Sequence, residues 1–143
     1  MASRVDPYKN FHFRVEVDGL TVAGFSECIG LETEVAVIEY REGADNAVRK
    51  LPGLAKIGDV TLKRGITKSN KLQNWHRNIL NGVPDRKDVA VILLDDERAP
   101  VVVWRLRHAF PRKWQGPTLR ANGNEVAIES LELSCEGLER ENV

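Results

Sequence analysis

The chain has few cross-linking options and no long apolar segment. Only 2 cysteines occur among its 143 residues. Cys28 and Cys135 lie far apart and in no metal-like spacing. They read as buried thiols of a reducing compartment, with a disulfide between them left open. The longest aliphatic run, Val89 to Leu94, is far too short to cross a bilayer. The N-terminal stretch MASRVDPYKN has no apolar core, so a secretory signal is not expected. Net charge is absent as well, since 21 Lys+Arg balance 21 Asp+Glu. That argues against a nucleic-acid binder, whose footprint is basic, and it removes one guard against self-association. Aromatic residues are 6% of the chain, and Trp75, Trp104 and Trp114 are too scattered for a base-stacking platform. No GxSxG, HExxH, GxxxxGK[ST] or GxGxxG motif occurs. His12, His76 and His108 are isolated in sequence, and His76 reads as a packed side chain with one hydrogen bond. No cofactor or metal is expected, and the acidic run Asp95-Asp96-Glu97 reads as a solvated turn.

What is present is ordinary globular composition, 42% hydrophobic and 29% charged, in a length that suits one domain spanning residues 1–143. Phe11, Phe13, Val15 and Val17 alternate with polar residues, a half-buried strand that ends at the hairpin dipeptide Asp18-Gly19. Leu20 to Glu27 reads as the returning strand, with Gly24 marking a bulge. Thr33 to Arg41 is a strand apolar on both faces. Glu42 to Lys56 breaks the pattern with Gly43, Asp45, Asn46, Pro52 and Gly53, and reads as a long loop or extended hairpin of the kind that carries function. Ile57 to Arg64 resumes strand character. Leu72, Trp75, His76, Ile79 and Leu80 then fall on one helical stripe. Thr67 or Ser69 is placed to cap that helix, and Gly82 and Pro84 to end it. Leu72, Trp75, Ile79 and Leu80 are expected to dock on the sheet. Val89 to Asp95 reads as a central strand covered on both faces, Val101 to Ala109 as the next strand, and Pro111 to Pro117 as a loop. In the last strand, Glu125 to Cys135, the apolar phase slips, and a bulge near Glu129-Ser130 would restore one inward face. The expected fold is mainly β, an antiparallel sandwich or barrel of about seven or eight strands with one packed helix.

Charge order says more than charge sum. From Arg98 to Arg120 there is no acid, whereas from Ala121 to Val143 the acids Glu125, Glu129, Glu132, Glu136, Glu139 and Glu141 meet only Arg140. Two readings stay open: pairing between neighbouring strands of one subunit, or a two-signed surface for head-to-tail contact between copies.

Several segments carry a resemblance. Val37-Ile38-Glu39-Tyr40-Arg41-Glu42-Gly43, Arg49-Lys50-Leu51-Pro52-Gly53 and Val60-Thr61-Leu62-Lys63-Arg64-Gly65 are similar to the tail tube proteins of contractile phages and the inner tube proteins of phage-like contractile injection systems. Phe25 to Leu31, Lys87-Asp88-Val89, Ala109-Phe110-Pro111 and Val126 to Leu131 resemble the same family, in order and over nearly the whole chain. The resemblance implies a β-barrel-like, non-enzymatic subunit like the tube protein of type VI secretion. Six copies would form a ring, and rings would stack into a hollow tube. Its implied partners are further copies of itself, a contractile sheath protein, baseplate or tube-initiator proteins, and cargo protein or DNA in the lumen. It implies cytoplasmic assembly, then a place in a virion tail or contractile particle. Within that expectation the stacking loop is Glu42, Asp45, Asn46, Arg49, Lys50 and Lys56, and the lumen candidates are Thr61, Lys63, Arg105 and Arg107. A tube-initiator paralogue and a monomeric ligand-binding barrel are the alternatives.

Overall fold

The computed structural model describes residues 6–10, 12–22, 24–44 and 46–143. Phe11 and Asp45, assigned above to the first strand and to the loop, lie outside the described residues. The elements are β1 (Phe13–Val17), β2 (Leu20–Val22), β3 (Phe25–Ile29), β4 (Thr33–Tyr40), β5 (Arg49–Ile57), β6 (Val60–Gly65), α1 (Lys71–Leu80), β7 (Lys87–Leu94), β8 (Pro100–Gln115), β9 (Ile128–Ser134) and β10 (Gly137–Asn142).

Eight strands form one antiparallel sheet in the order β2-β1-β7-β8-β9-β6-β3, with β10 also on β8. The sheet folds into two layers because β8 serves both. Its first half lies between β7 and β10, and its second half pairs with β9. The crossing is marked by His108, a non-glycine residue at φ 51°. Its N–H donates to Asp88 Oδ1 at 3.0 Å. The side chains of Val15, Val89, Val91 and Leu106 from one layer meet Val60, Leu62, Leu131 and Leu133 from the other in a single core. β7 is apolar on both faces because Ala90, Ile92 and Leu94 form a second buried cluster with Val103 on the far side. That matches the reading of this run as a central strand.

The Asp18-Gly19 turn forms as expected, with both residues at positive φ (50° and 79°), the type I′ signature. The returning strand is shorter than expected. β2 stops at Val22, and past Gly24 (φ 88°) the chain enters the other layer as β3, paired with β6. The expected loop after Pro111 is strand instead, since β8 runs on to Gln115 through a register shift between Pro111 and Lys113. β10 was not anticipated.

The apolar stripe of α1 is half confirmed. Leu72 and Trp75 are buried in the core, and Ile79 is half-buried. Leu80 is 71% exposed and does not dock. At ~100° per residue it lies about 90° from the middle of the stripe, on the shoulder of the last turn. The helix starts at Asn70, whose side chain makes no capping bond, rather than at Thr67 or Ser69. It ends as expected. Gly82 sits at φ 79°, its N–H bonds Ile79 O, and Val83 N–H bonds Asn78 O. This is the Schellman arrangement.

Candidate assembly surfaces

The segment expected to be loop or extended hairpin is the latter. β4 and β5 form a separate two-stranded sheet, an arm bonded among the described residues to no strand of the main sheet, and the described residues between the two strands are loop. The arm leaves the body through a tight crossing at Gly30, which has φ 99°. A Cβ added there would fall 2.3 Å from Asp59 O, so only glycine fits. Along the arm Glu34 stands opposite Lys56, Glu39 opposite Lys50 and Tyr40 opposite Arg49. One residue of β4 opposes two of β5 between the Val35 and Val37 pairs, a bulge at which a Cβ added to Gly53 would come to 3.0 Å from Ala36 O. Every residue of β4 is exposed, and Val35, Val37, Ile38, Leu51 and Leu54 stand in water. Leu54 reaches 86% exposure. A two-stranded hairpin with apolar residues on both faces is marginal in water by itself. Of the candidate stacking residues, Glu42 and Asn46 lie in the exposed loop, while Arg49, Lys50 and Lys56 lie on β5.

The charge blocks resolve into pairs within the subunit. Arg105 Nε donates to Glu141 Oε2 at 3.0 Å and Arg107 Nη2 to Glu139 Oε2 at 3.3 Å, across the β8–β10 ladder. Arg112 bridges Glu132 at 2.6 Å and Asp59 at 3.2 Å, and Arg86 pairs with Glu136. Most of the C-terminal acids are therefore engaged without a second copy.

The four lumen candidates do not share a face. Val60, Leu62 and Arg64 of β6 point inward, so Thr61 and Lys63 lie on the outer face of the β9–β6–β3 layer. There they line an open, polar cavity of about 560 Å³ with Lys113, Gln115, Ser130 and Glu132. Arg105 and Arg107 lie on the outer face of the opposite layer, above Ala90 and Val103. Outer faces of a two-layer fold point apart, so the two pairs lie on opposite sides of the subunit.

The last strand holds the group that sequence reasoning missed. No bulge occurs near Glu129-Ser130, because β9 pairs with β6 in continuous register from Leu133 to Ile128. Glu129 itself takes the inward position. Arg64 Nε donates to Glu129 Oε1 at 2.6 Å, and Trp114 Nε1 donates to Oε2 at 2.9 Å. The two charged side chains are only 5% and 7% exposed. Arg64 also lies over the Phe25 ring and bonds Ser69 O ahead of the helix. His76 is packed as expected, its Nδ1–H donating to Pro111 O at 2.9 Å. The acidic run closes its turn, Asp95 Oδ1 accepting the N–H groups of Glu97 and Ala99 at 2.9 Å.

Both thiols are free and half-buried. Burial pushes Cys28 up from 9.0 to about 11, and burial, opposed by a bond from Gly137, raises Cys135. At pH 8 the Cys28 thiolate fraction falls roughly a hundredfold below that of an ordinary thiol. Iodoacetamide should therefore label Cys28 slowly in a Cys135→Ser background. Labelling at the rate of free cysteine would place the thiol in water.

The structure is thus a two-layer β subunit that carries an uncovered two-stranded arm. The T4-like virus tail tube protein gp19 family matches residues 9–139, and the chain belongs to that family. Its role is that of a structural tube protein. No curated protein matches the sequence. Among solved structures, a chain of the PVC extracellular contractile injection system sheath-tube complex in the extended state is 25% identical. That match has a TM-score of 0.84 and covers 96% of this chain and 93% of that one. A chain of the anti-feeding prophage tube-terminating cap is 24% identical at TM-score 0.88, covering 100% and 96%. Hcp1 from Flavobacterium johnsoniae, at 14% identity and TM-score 0.58 over 92% and 95%, shares the fold.

Proposed function

We propose that residues 1–143 form one tail-tube domain whose copies close into six-membered rings, and that these rings stack into a rigid conduit. The observation that carries this reading is the arm. Its exposed Val35, Val37, Ile38, Leu51 and Leu54 find no cover in their own subunit, and a neighbouring copy is the surface that removes them from water. In that assembly the arm spans the junction between rings, its loop Glu42 and Asn46 and its strand residues Arg49, Lys50 and Lys56 meeting the adjacent ring. The channel takes one of the two layer faces, that of Thr61 and Lys63 or that of Arg105 and Arg107. The role is mechanical and not catalytic. A sheath protein would surround the tube and a baseplate or initiator would template it, in keeping with the sheath-tube and baseplate complexes that contain its structural neighbours. Cargo protein or DNA would pass through the lumen. Assembly would occur in the cytoplasm before incorporation into a phage tail or an extracellular particle. No helix among the described residues is long and apolar enough to cross a membrane.

The test is charge reversal on the arm. Arg49→Glu with Lys50→Glu puts carboxylates where cations stood, beside Glu39 opposite. The subunit should melt normally while tube growth stops, with partial rescue at high salt because exposed charges are screened. Tubes of normal length from this variant, seen by negative-stain microscopy, would remove the arm from the junction.

A further inference from the structure

β8 and β9 are antiparallel neighbours that a tight turn could join, yet the chain between them runs through residues 116–127. That connection is held at both ends. A Cβ added to Gly116 would come to 3.2 Å from the Trp114 indole, so the chain leaves β8 pressed on that ring. At the far end Ile66 N–H donates to Ala127 O at 2.9 Å. Between them Gly123 N–H closes a turn on Arg120 O at 3.2 Å. The loop so held walls the open cavity of about 560 Å³ on the outer face of the β9–β6–β3 layer.

Two cross-strand rows make the cavity floor, Thr61–Glu132–Lys113 and Lys63–Ser130–Gln115. At the usual strand and residue spacings Lys63 and Lys113 start from opposite corners about 12 Å apart, close enough for both ammonium groups to meet one ligand. Arg120 adds a third cation from the wall. Arg105, Arg107 and Arg112 of β8 are all paired with carboxylates, whereas Lys113 and Arg120 make no ion pair among the described residues. Two acids also line the cavity. Glu132 is taken up by Arg112 at 2.6 Å, and Glu125 stands exposed on the wall. The hydroxyls of Thr61, Thr118 and Ser130 and the amide of Gln115 make no side-chain hydrogen bond within the described chain.

We infer that this cavity binds a small phosphorylated sugar. Lys113 and Arg120 take the phosphoryl oxygens through charge-assisted hydrogen bonds, with Lys63 adding charge from the other corner. The unengaged hydroxyls and amide donate to and accept from the sugar hydroxyls. The volume lies in the range of small-molecule sites, roughly 300–1,000 Å³. A continuous nucleic-acid backbone is the poorer fit. Such binders carry a basic stripe, and here the free cations gather in one walled cavity of a chain with no net charge. The site is separate from the arm and does not depend on the tube reading.

The probe is ribose 5-phosphate, titrated calorimetrically into the intact chain at low salt, with inorganic phosphate and ribose as comparators. Ribose 5-phosphate should bind more tightly than either. Lys113→Gln with Arg120→Gln should weaken it by about tenfold or more and leave the melt unchanged, since both residues are exposed. Thr118→Val with Ser130→Ala should reduce the advantage of ribose 5-phosphate over inorganic phosphate, and Glu125→Gln should tighten binding by removing a like charge. The arm variant Lys50→Gln, Lys56→Gln should bind as the parent does. No saturable binding at millimolar ligand, or undiminished binding by the Lys113/Arg120 variant, would overturn the proposal. So would equal affinity for inorganic phosphate, or displacement of the sugar phosphate by short duplex DNA at equal phosphate concentration.

Discussion

Glu129→Ala should lower stability by about 3–5 kcal/mol, because it strands the Arg64 charge at the inner face of the β9–β6 layer. It also leaves the indole N–H of Trp114 without its acceptor. In a domain of this size that loss corresponds to a drop in melting temperature on the order of 10 °C. The pair is not expected to be strongly stabilising in itself. Desolvating two charges is costly, and a double replacement by apolar residues, Arg64→Met with Glu129→Leu, should recover much of the loss. Urea denaturation of Arg64→Met, Glu129→Leu and the double variant forms the cycle that separates these effects. A single-variant loss below ~1 kcal/mol would show that water reaches Arg64 in the folded state.

Trp75→Ala should cost about 3–5 kcal/mol. The indole is 4% exposed within the main core, and its Nε1–H donates to Asp85 O at 2.6 Å. The substitution opens a cavity where α1 meets the sheet and removes the bond that ties the helix to the chain entering β7. Trp75→Phe keeps most of the volume and isolates that bond, at ~1 kcal/mol. Leu80→Ala, one turn later on the exposed shoulder, should change stability by less than ~1 kcal/mol. Equal losses at Trp75 and Leu80 would mean that the last turn of α1 packs against the body after all.

The difference between Trp75 and Leu80 shows where sequence patterning stops being informative. A 3.6-residue period identifies the helix and the middle of its buried stripe. It does not say how wide a face the sheet can cover. The Asp18-Gly19 turn and the β7 run were legible because the backbone chemistry of one and the two-sided apolarity of the other have few alternatives. Glu129 was misread for a physical reason. Alternation places a charge outward unless a partner waits inside, and Arg64 is brought beside it only by the β6–β9 ladder. β10 offered little to read, since Leu138 is its one apolar residue and its glutamates serve as counter-charges to Arg105 and Arg107. The crossing of β8 rests on His108 at positive φ, a geometry that glycine, asparagine or aspartate would have announced and histidine does not. Among the assembly surfaces the arm was legible from its broken pattern. Alternation alone cannot say which residues lie on which layer, so it grouped Thr61 and Lys63 with Arg105 and Arg107, which the fold sets on opposite layers.

The sharing of β8 between the two layers governs how the subunit opens and closes. Opening either layer strips a ladder from the same 16-residue strand, so neither layer forms an independent cooperative unit. Backbone amides at the centre of β7, β8 and β9 should therefore exchange with solvent only through global unfolding, while those of the arm exchange freely in the isolated subunit. The same arrangement makes folding depend on distant partners, Val15 beside Val91 and Val60 beside Leu133. Topologies of that kind close in milliseconds to seconds rather than microseconds. A newly made chain thus exposes its arm and its unpaired edges together for that interval, and its concentration during synthesis becomes a determinant of whether it assembles or aggregates.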